Sequence, residues 1–348
     1  MVRPSRTGFR ECTLTCQPAA SFHHMSVTSP RLPAHLEGRK ATWFELFYDL
    51  VFVVAVARLS GRYAAHYDLA GAMLFASAFV AMWWCWLGQT FHGTRFDQDL
   101  PRQRVVGFAQ IGAVALIGYG AADPLDGRGW AFGGGVAAFK LLLAVAYLSE
   151  RRWVGAAGLI RVYATLYGVQ AVLWLAGSMV PSARLACWGV AVALDLLSPW
   201  LVARHTAAVP PHPEHLPERF GLFTIILLGE GMASVVHALD HGDALHLSNA
   251  LAAVCGALLT FAVWVAYFDR VRGHGERHVA SAIDGRRMRQ WAYGHLPLYM
   301  GIASLAAGTV ALAEPGAVTW PRVAISVAGV LLTGLGLSLL ATARATHA

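Results

Sequence analysis

Two carboxylates stand four residues apart in Trp43-Phe44-Glu45-Leu46-Phe47-Tyr48-Asp49-Leu50, at the mouth of the first long apolar run of the chain. On a helix, that spacing puts both acids on one face. Burying them in an apolar medium is costly unless a cation or water receives them. Either they face a protein interior with a purpose, or they are anions of a first helical turn, favoured there by the helix dipole. Asp49 lies about 9 Å into a helix that starts at Trp43, which favours the interior. Its partners are then expected among Arg95, Arg161 and His295, and Asp49, a turn deeper than Glu45, is expected to be the more sensitive acid.

Further polar groups interrupt other apolar runs. Arg95 and Asp97 end the second, Arg161 lies in the fifth, Arg219 starts the seventh, Asp269 ends the eighth and His295 lies in the ninth. All fall in the same half of the membrane as the acid pair. Lys140, Asp195 and Glu230 fall near mid-membrane and are expected to form a charge-neutralising cluster, either a buried ion pair that fixes helix order or a proton or ion relay. These residues are the candidates for a substrate or ion pathway. His215, Glu218 and Arg219 in HLPERFG read as ordinary features of a helix start at an interface. His295, two residues before Pro297, suits a pH-sensitive gate or a bond to a carbonyl that the proline frees. His237, Asp240, His241, Asp243 and His246 form a loop cluster with an i, i+4 histidine pair, read as solvated, and no metal is assigned.

The elements that must position these groups are membrane helices. The chain of 348 residues is 56% hydrophobic and only 14% charged, too apolar for a soluble globule of that size. Mean hydropathy is +0.49. The fold class is all-α: a polytopic transmembrane helical bundle of about ten helices, with segments near 43–60, 70–92, 104–122, 130–148, 157–178, 184–203, 220–238, 248–268, 291–313 and 321–343. Residues 1–38 lack a helical period and a signal-peptide core and are expected to be a disordered cytoplasmic tail, with Met25 an alternative start; residues 39–348 form the transmembrane domain. Cys12 and Cys16 in the tail are weak as a metal pair, and no disulfide framework is implied.

Basic residues collect on one side of this arrangement, in Arg39, Lys40, Arg102, Arg104, Arg151, Arg152 and the run from Arg270 to Arg289, against Arg62, Arg128, Arg184 and Arg322 on the other. The positive-inside rule then places both termini in the cytoplasm of a bacterial inner membrane. The formal charge of +7 follows from this asymmetry and implies no nucleic-acid partner. The expected partners are the lipid bilayer, anionic lipids at the cytoplasmic rim, and a small solute or proton. No nucleophile elbow, zinc-protease motif, P-loop or dinucleotide fingerprint is present, so neither enzyme activity nor a cofactor is expected.

Several phrases carry a family resemblance: ATWFELFYDLVFVVAVARLS, TRFDQDLPR, ALDLLSPWL, HLPERFGLFTIILLGEG and WAYGHLPLYMGIA, in that order. In them the chain resembles the bacterial low temperature requirement protein A (LtrA) family, from about Ala41 to the tenth segment. The resemblance implies a multi-pass bacterial membrane protein linked by name to growth in the cold, and no settled activity. The chain departs from the family pattern at Phe47-Tyr48-Asp49, where FFD is common, and at Thr90-Phe91-His92, where a tryptophan-tyrosine pair is common. The acids survive both changes.

An internal echo pairs WFELFYDLVFVVAVA with RFGLFTIILLGEGMA and FHGTRFDQD with WVAYFDRVRG. Read as a repeat, its offset of six helices gives two parallel halves, as in some transporters. Read blandly, it is shared composition. The first function expected is a secondary, proton-coupled transporter; its rivals are a structural or regulatory membrane protein supporting growth in the cold, and an intramembrane enzyme. If the charge asymmetry sets the topology, a cysteine placed at Gly242 will be labelled from outside intact cells and one at Gly285 will not. The reverse labelling pattern would overturn the orientation.

Overall fold

The computed structural model describes residues 40–96, 101–206, 209–240, 247–270, 282–314 and 318–343. The expected tail, residues 1–38, and the loop residues Asp97, His241, Asp243 and His246 lie outside them. The described residues form helices α1 (Trp43–Ala65), α2 (Leu69–Arg95), α3 (Pro101–Ala121), α4 (Gly129–Ser149), α5 (Ala157–Met179), α6 (Arg184–Leu201), the short α7 (Ala203–Thr206), α8 (His215–Leu239), α9 (Leu247–Arg270), α10 (Ala282–Ala313) and α11 (Trp320–Thr342). No strand occurs among the described residues. Nine of the long helices are apolar and long enough to cross a membrane. We read α1 as a tenth, because its 23 residues also suffice. Its charges Glu45, Asp49, Arg58 and Arg62 set it apart from the others.

Boundaries differ from the hydropathy reading where polar residues are helical. α10 begins at Ala282, so the basic run Arg286 to Arg289 is helix and not loop. Arg, Met and Gln are good helix formers, and a hydropathy window reports only the apolar part of such a helix. α8 likewise begins at His215. There the His212 ring nitrogen Nδ1 accepts from the backbone N–H groups of Glu214 and His215 at 3.2 and 3.1 Å, which satisfies donors a helix start leaves open.

α1 packs on α2, α3, α8 and α10 and leaves a stripe of Phe47, Leu50 and Val54 exposed, while α4 and α5 pack together and α10 pairs with α11. The last pairing is close because glycines allow it: a Cβ on Gly301 would stand 2.6 Å from the backbone nitrogen of Thr333. Aromatic side chains fill the middle of the bundle, with Trp86 and Trp174 among the largest fully buried groups. The pattern of α1 on α2 and α3, with α3 on α4, recurs as α8 on α9 and α10, with α10 on α11. The likeness is partial, since α9 also packs on α10 whereas its counterpart α2 packs little on α3.

Candidate functional site: an ion-paired seam between α1 and α8

Glu45 is held first by its own helix. Thr42 Oγ1 accepts from the Glu45 backbone N–H at 3.2 Å, and Glu45 Oε2 accepts from the Thr42 N–H at 2.9 Å, a reciprocal capping box. The same side chain turns inward, where its carboxylate meets Arg219 Nη1 at 3.0 Å and His215 Nε2 at 3.2 Å. Glu45 is therefore both a first-turn anion and an interior ligand. Asp49 is wholly interior. Arg219 reaches it in a two-pronged contact, Nε to Oδ2 at 3.2 Å and Nη2 to Oδ1 at 2.6 Å, and the Trp86 indole donates to Oδ1 at 2.8 Å. The planar guanidinium suits such a fork.

The partner of Asp49 is thus Arg219, and not Arg95, Arg161 or His295. Arg95 is buried elsewhere: its Nε donates to the Val209 carbonyl at 3.1 Å, and its charge lies over the Phe91 and Tyr163 rings. Arg161 and Asp269 are exposed. His295 donates from Nδ1 to the Trp291 carbonyl at 2.9 Å, which leaves Nε2 to accept from the Tyr267 hydroxyl at 3.1 Å. The carbonyl that Pro297 deprives of a donor is that of Tyr293, so His295 does not compensate for the proline. The reading of His215 and Arg219 as ordinary interface residues also fails, since both are buried, at 0% and 2% exposure.

The mid-membrane cluster is smaller than expected. Lys140 Nζ contacts Asp195 Oδ1 at 2.6 Å, and the Gln170 amide donates to the same oxygen at 2.8 Å. Pro199 removes the helical donor for the Asp195 carbonyl, and Ser198 Oγ replaces it at 2.7 Å. Glu230 does not join this pair. It lies half-buried on α8, in a cavity of about 350 Å³ between α1, α8 and α10, with no hydrogen-bond or ion-pair partner among the described residues.

The seam is layered. On the side where α1 begins lie the ion pairs; next come Trp86, Phe220, Phe223 and Tyr299, with ring centroids 4.3 Å apart between Trp86 and Phe223. The cavity follows about 10 Å further along, where Phe223 is seven residues from Glu230. Charge counting adds a constraint on the first layer. Two carboxylates face one guanidinium, and a residual negative charge at this depth is costly. One proton, on His215 or on a carboxylate, makes the group neutral.

The chain matches the bacterial low temperature requirement A protein family over residues 40–348. It belongs to the LtrA family. It is also similar to an uncharacterized protein of Rhizobium meliloti (strain 1021), 26% identical over 297 residues, covering 79% of this chain and 70% of that protein. No solved structure matches it. Two of the phrases that resemble the LtrA family, FELFYDLVF and HLPERFGLF, supply the two halves of the ion-paired layer.

Several buried polar groups lie outside the sequence candidates. Glu150 is fully buried and accepts from Gln103 at 2.6 Å, Trp153 at 3.2 Å and Arg102 at 3.1 Å. Gln110 donates to Gln89 at 3.2 Å. A neutral amide inside an apolar run sends no charge signal, although a buried Gln needs a partner just as an acid does. The charge count predicts an order of sensitivity in thermal unfolding of the purified protein. Arg219→Gln leaves two carboxylates without their cation and should cost ~3–5 kcal/mol. Asp49→Asn leaves Glu45 and Arg219 as a neutral pair and should cost only about 1–2 kcal/mol. An Asp49→Asn variant less stable than Arg219→Gln would contradict the arrangement.

Proposed function

We propose that this LtrA-family protein is a secondary, proton-coupled transporter of the bacterial inner membrane, with both termini cytoplasmic and a pathway along the seam between α1, α8 and α10. The observation that carries the reading is the asymmetry of that seam. Buried ion pairs and aromatic rings close it on one side, and a cavity holding Glu230 opens it on the other. A carrier of this kind alternates between such a state and one in which the closed side opens. Opening requires Arg219 to part from Glu45 and Asp49, and the proton that balances the cluster then exchanges with the water that enters. The partly recurring neighbour pattern, α1 on α2 and α3 as α8 on α9 and α10, is in keeping with a movement of one half against the other.

The rival reading, a structural or regulatory membrane protein, has the Lys140–Asp195 pair in its favour. That pair is fully buried, away from the cavity, and serves to hold α4 to α6. Proteoliposomes containing a pH-sensitive dye separate the two. Wild-type protein should change lumenal pH when a solute from a broad panel is added outside, and Glu230→Gln should abolish the change while eluting and melting as wild type does. No proton movement with any solute, from protein that is folded and correctly inserted, would favour the structural reading.

A further inference from the structure

The cavity holds a second polar group whose bonding is incomplete. Ser60, on α1, is 3% exposed, lines the cavity, and its hydroxyl has no hydrogen-bond partner among the described residues. Serines inside membrane helices ordinarily turn back to the carbonyl four residues earlier. Ser77, Ser149, Ser178 and Ser338 of this chain do so, at 2.7–2.8 Å. Ser60 forgoes that bond; its oxygen lies just beneath the cavity wall, closed to a water-sized probe, and a turn about χ1 would bring it to the cavity.

We propose that this cavity is the binding site for a small protonated alkylamine, with the ammonium held by the Glu230 carboxylate and Ser60 Oγ. The inference deepens the transport reading and rests on it for its physiological meaning. Three properties of the walls select the class. Among the described residues their acidic groups are Glu230 and Glu314 against one basic group, His237, which disfavours anions. Apart from polar groups that include Ser60 and Ser234, the lining is alanine, glycine and valine, among them Ala57, Ala64, Ala306 and Val310. Such methyl walls offer no ring of oxygens to replace the hydration shell of an alkali ion, and no cluster of three metal-ligating residues occurs among the described residues. They do accept an alkyl chain. Among the described residues the His237 imidazole is the one aromatic ring in the lining, so a quaternary ammonium has no cage of Trp, Tyr or Phe there. A primary ammonium needs hydrogen-bond acceptors, which Glu230 and Ser60 supply. The volume of about 350 Å³ is at the small end of ligand sites, which limits the occupant to a short chain.

Binding can be measured without any gradient, by thermal shift and calorimetry on the full-length protein in detergent, with n-butylammonium, tetramethylammonium and butyrate as probes. n-Butylammonium should stabilise the wild type; Glu230→Gln should weaken it at least ~30-fold and Ser60→Ala ~10-fold, with both variants melting like wild type in the absence of amine. Equal stabilisation by butyrate or tetramethylammonium, or undiminished n-butylammonium binding by Glu230→Gln, would overturn the proposal. Amine binding that depends on Glu230 without flux in proteoliposomes would support the site and count against transport. Glu230-dependent flux of an anionic or neutral solute without amine binding would do the reverse.

Discussion

A guanidinium buried at 2% exposure between two membrane helices has to be neutralised where it stands, and that requirement organises the centre of this protein. Arg219 brings α8 against α1 at a fixed register, since its fork must meet Asp49 while its remaining nitrogen meets Glu45. Trp86 then ties α2 to the same carboxylate, and the Trp86 ring packs on Phe220 and Phe223. Each of these groups depends on the others. Lipid supplies no hydrophobic force between helices, so contacts of this kind, with close packing, specify which helices meet.

The helix starts prepare the same geometry. Thr42 fixes Glu45 through the capping box, and His212 caps α8 about one turn before His215 and two before Arg219. The His212 backbone N–H donates to the Thr94 carbonyl at 3.0 Å, which anchors that cap to the end of α2. Local bonds thus aim the charged groups before long-range pairing holds them. The second buried pair, Lys140 with Asp195, is independent of the seam and belongs to α4, α5 and α6 with their aromatic neighbours, where Tyr167 lies 5.3 Å beneath the ammonium.

Much of this was legible in the sequence. Composition and apolar runs gave the all-helical membrane class and nearly every segment, because spanning length and hydropathy are local properties. The acid pair, Lys140, Asp195 and Glu230 stood out for the cost of charge at that depth. Their pairing was not legible. Arg219 looked like an anchor because arginine at a helix start is ordinary, and nothing local tells an outward arginine from an inward one. Depth alone groups Glu230 with Lys140, but depth does not fix azimuth, and α8 turns that acid toward α1 and α10. His212 and the buried glutamines carry no periodic or charge signal, and Glu150, beside Arg151 and Arg152, reads as an ordinary loop acid, so only the fold explains them.

The central claim is that the Glu45–Arg219–Asp49 contact holds one side of the seam closed. Spin labels at Trp43→Cys and Glu214→Cys, both exposed positions at the closed side, report its opening in reconstituted protein with the other accessible cysteines replaced. Electron–electron distance measurements should give one short distance in the wild type and a second, longer population in Asp49→Asn. A distribution unchanged by Asp49→Asn, in protein shown to be folded, would contradict the account.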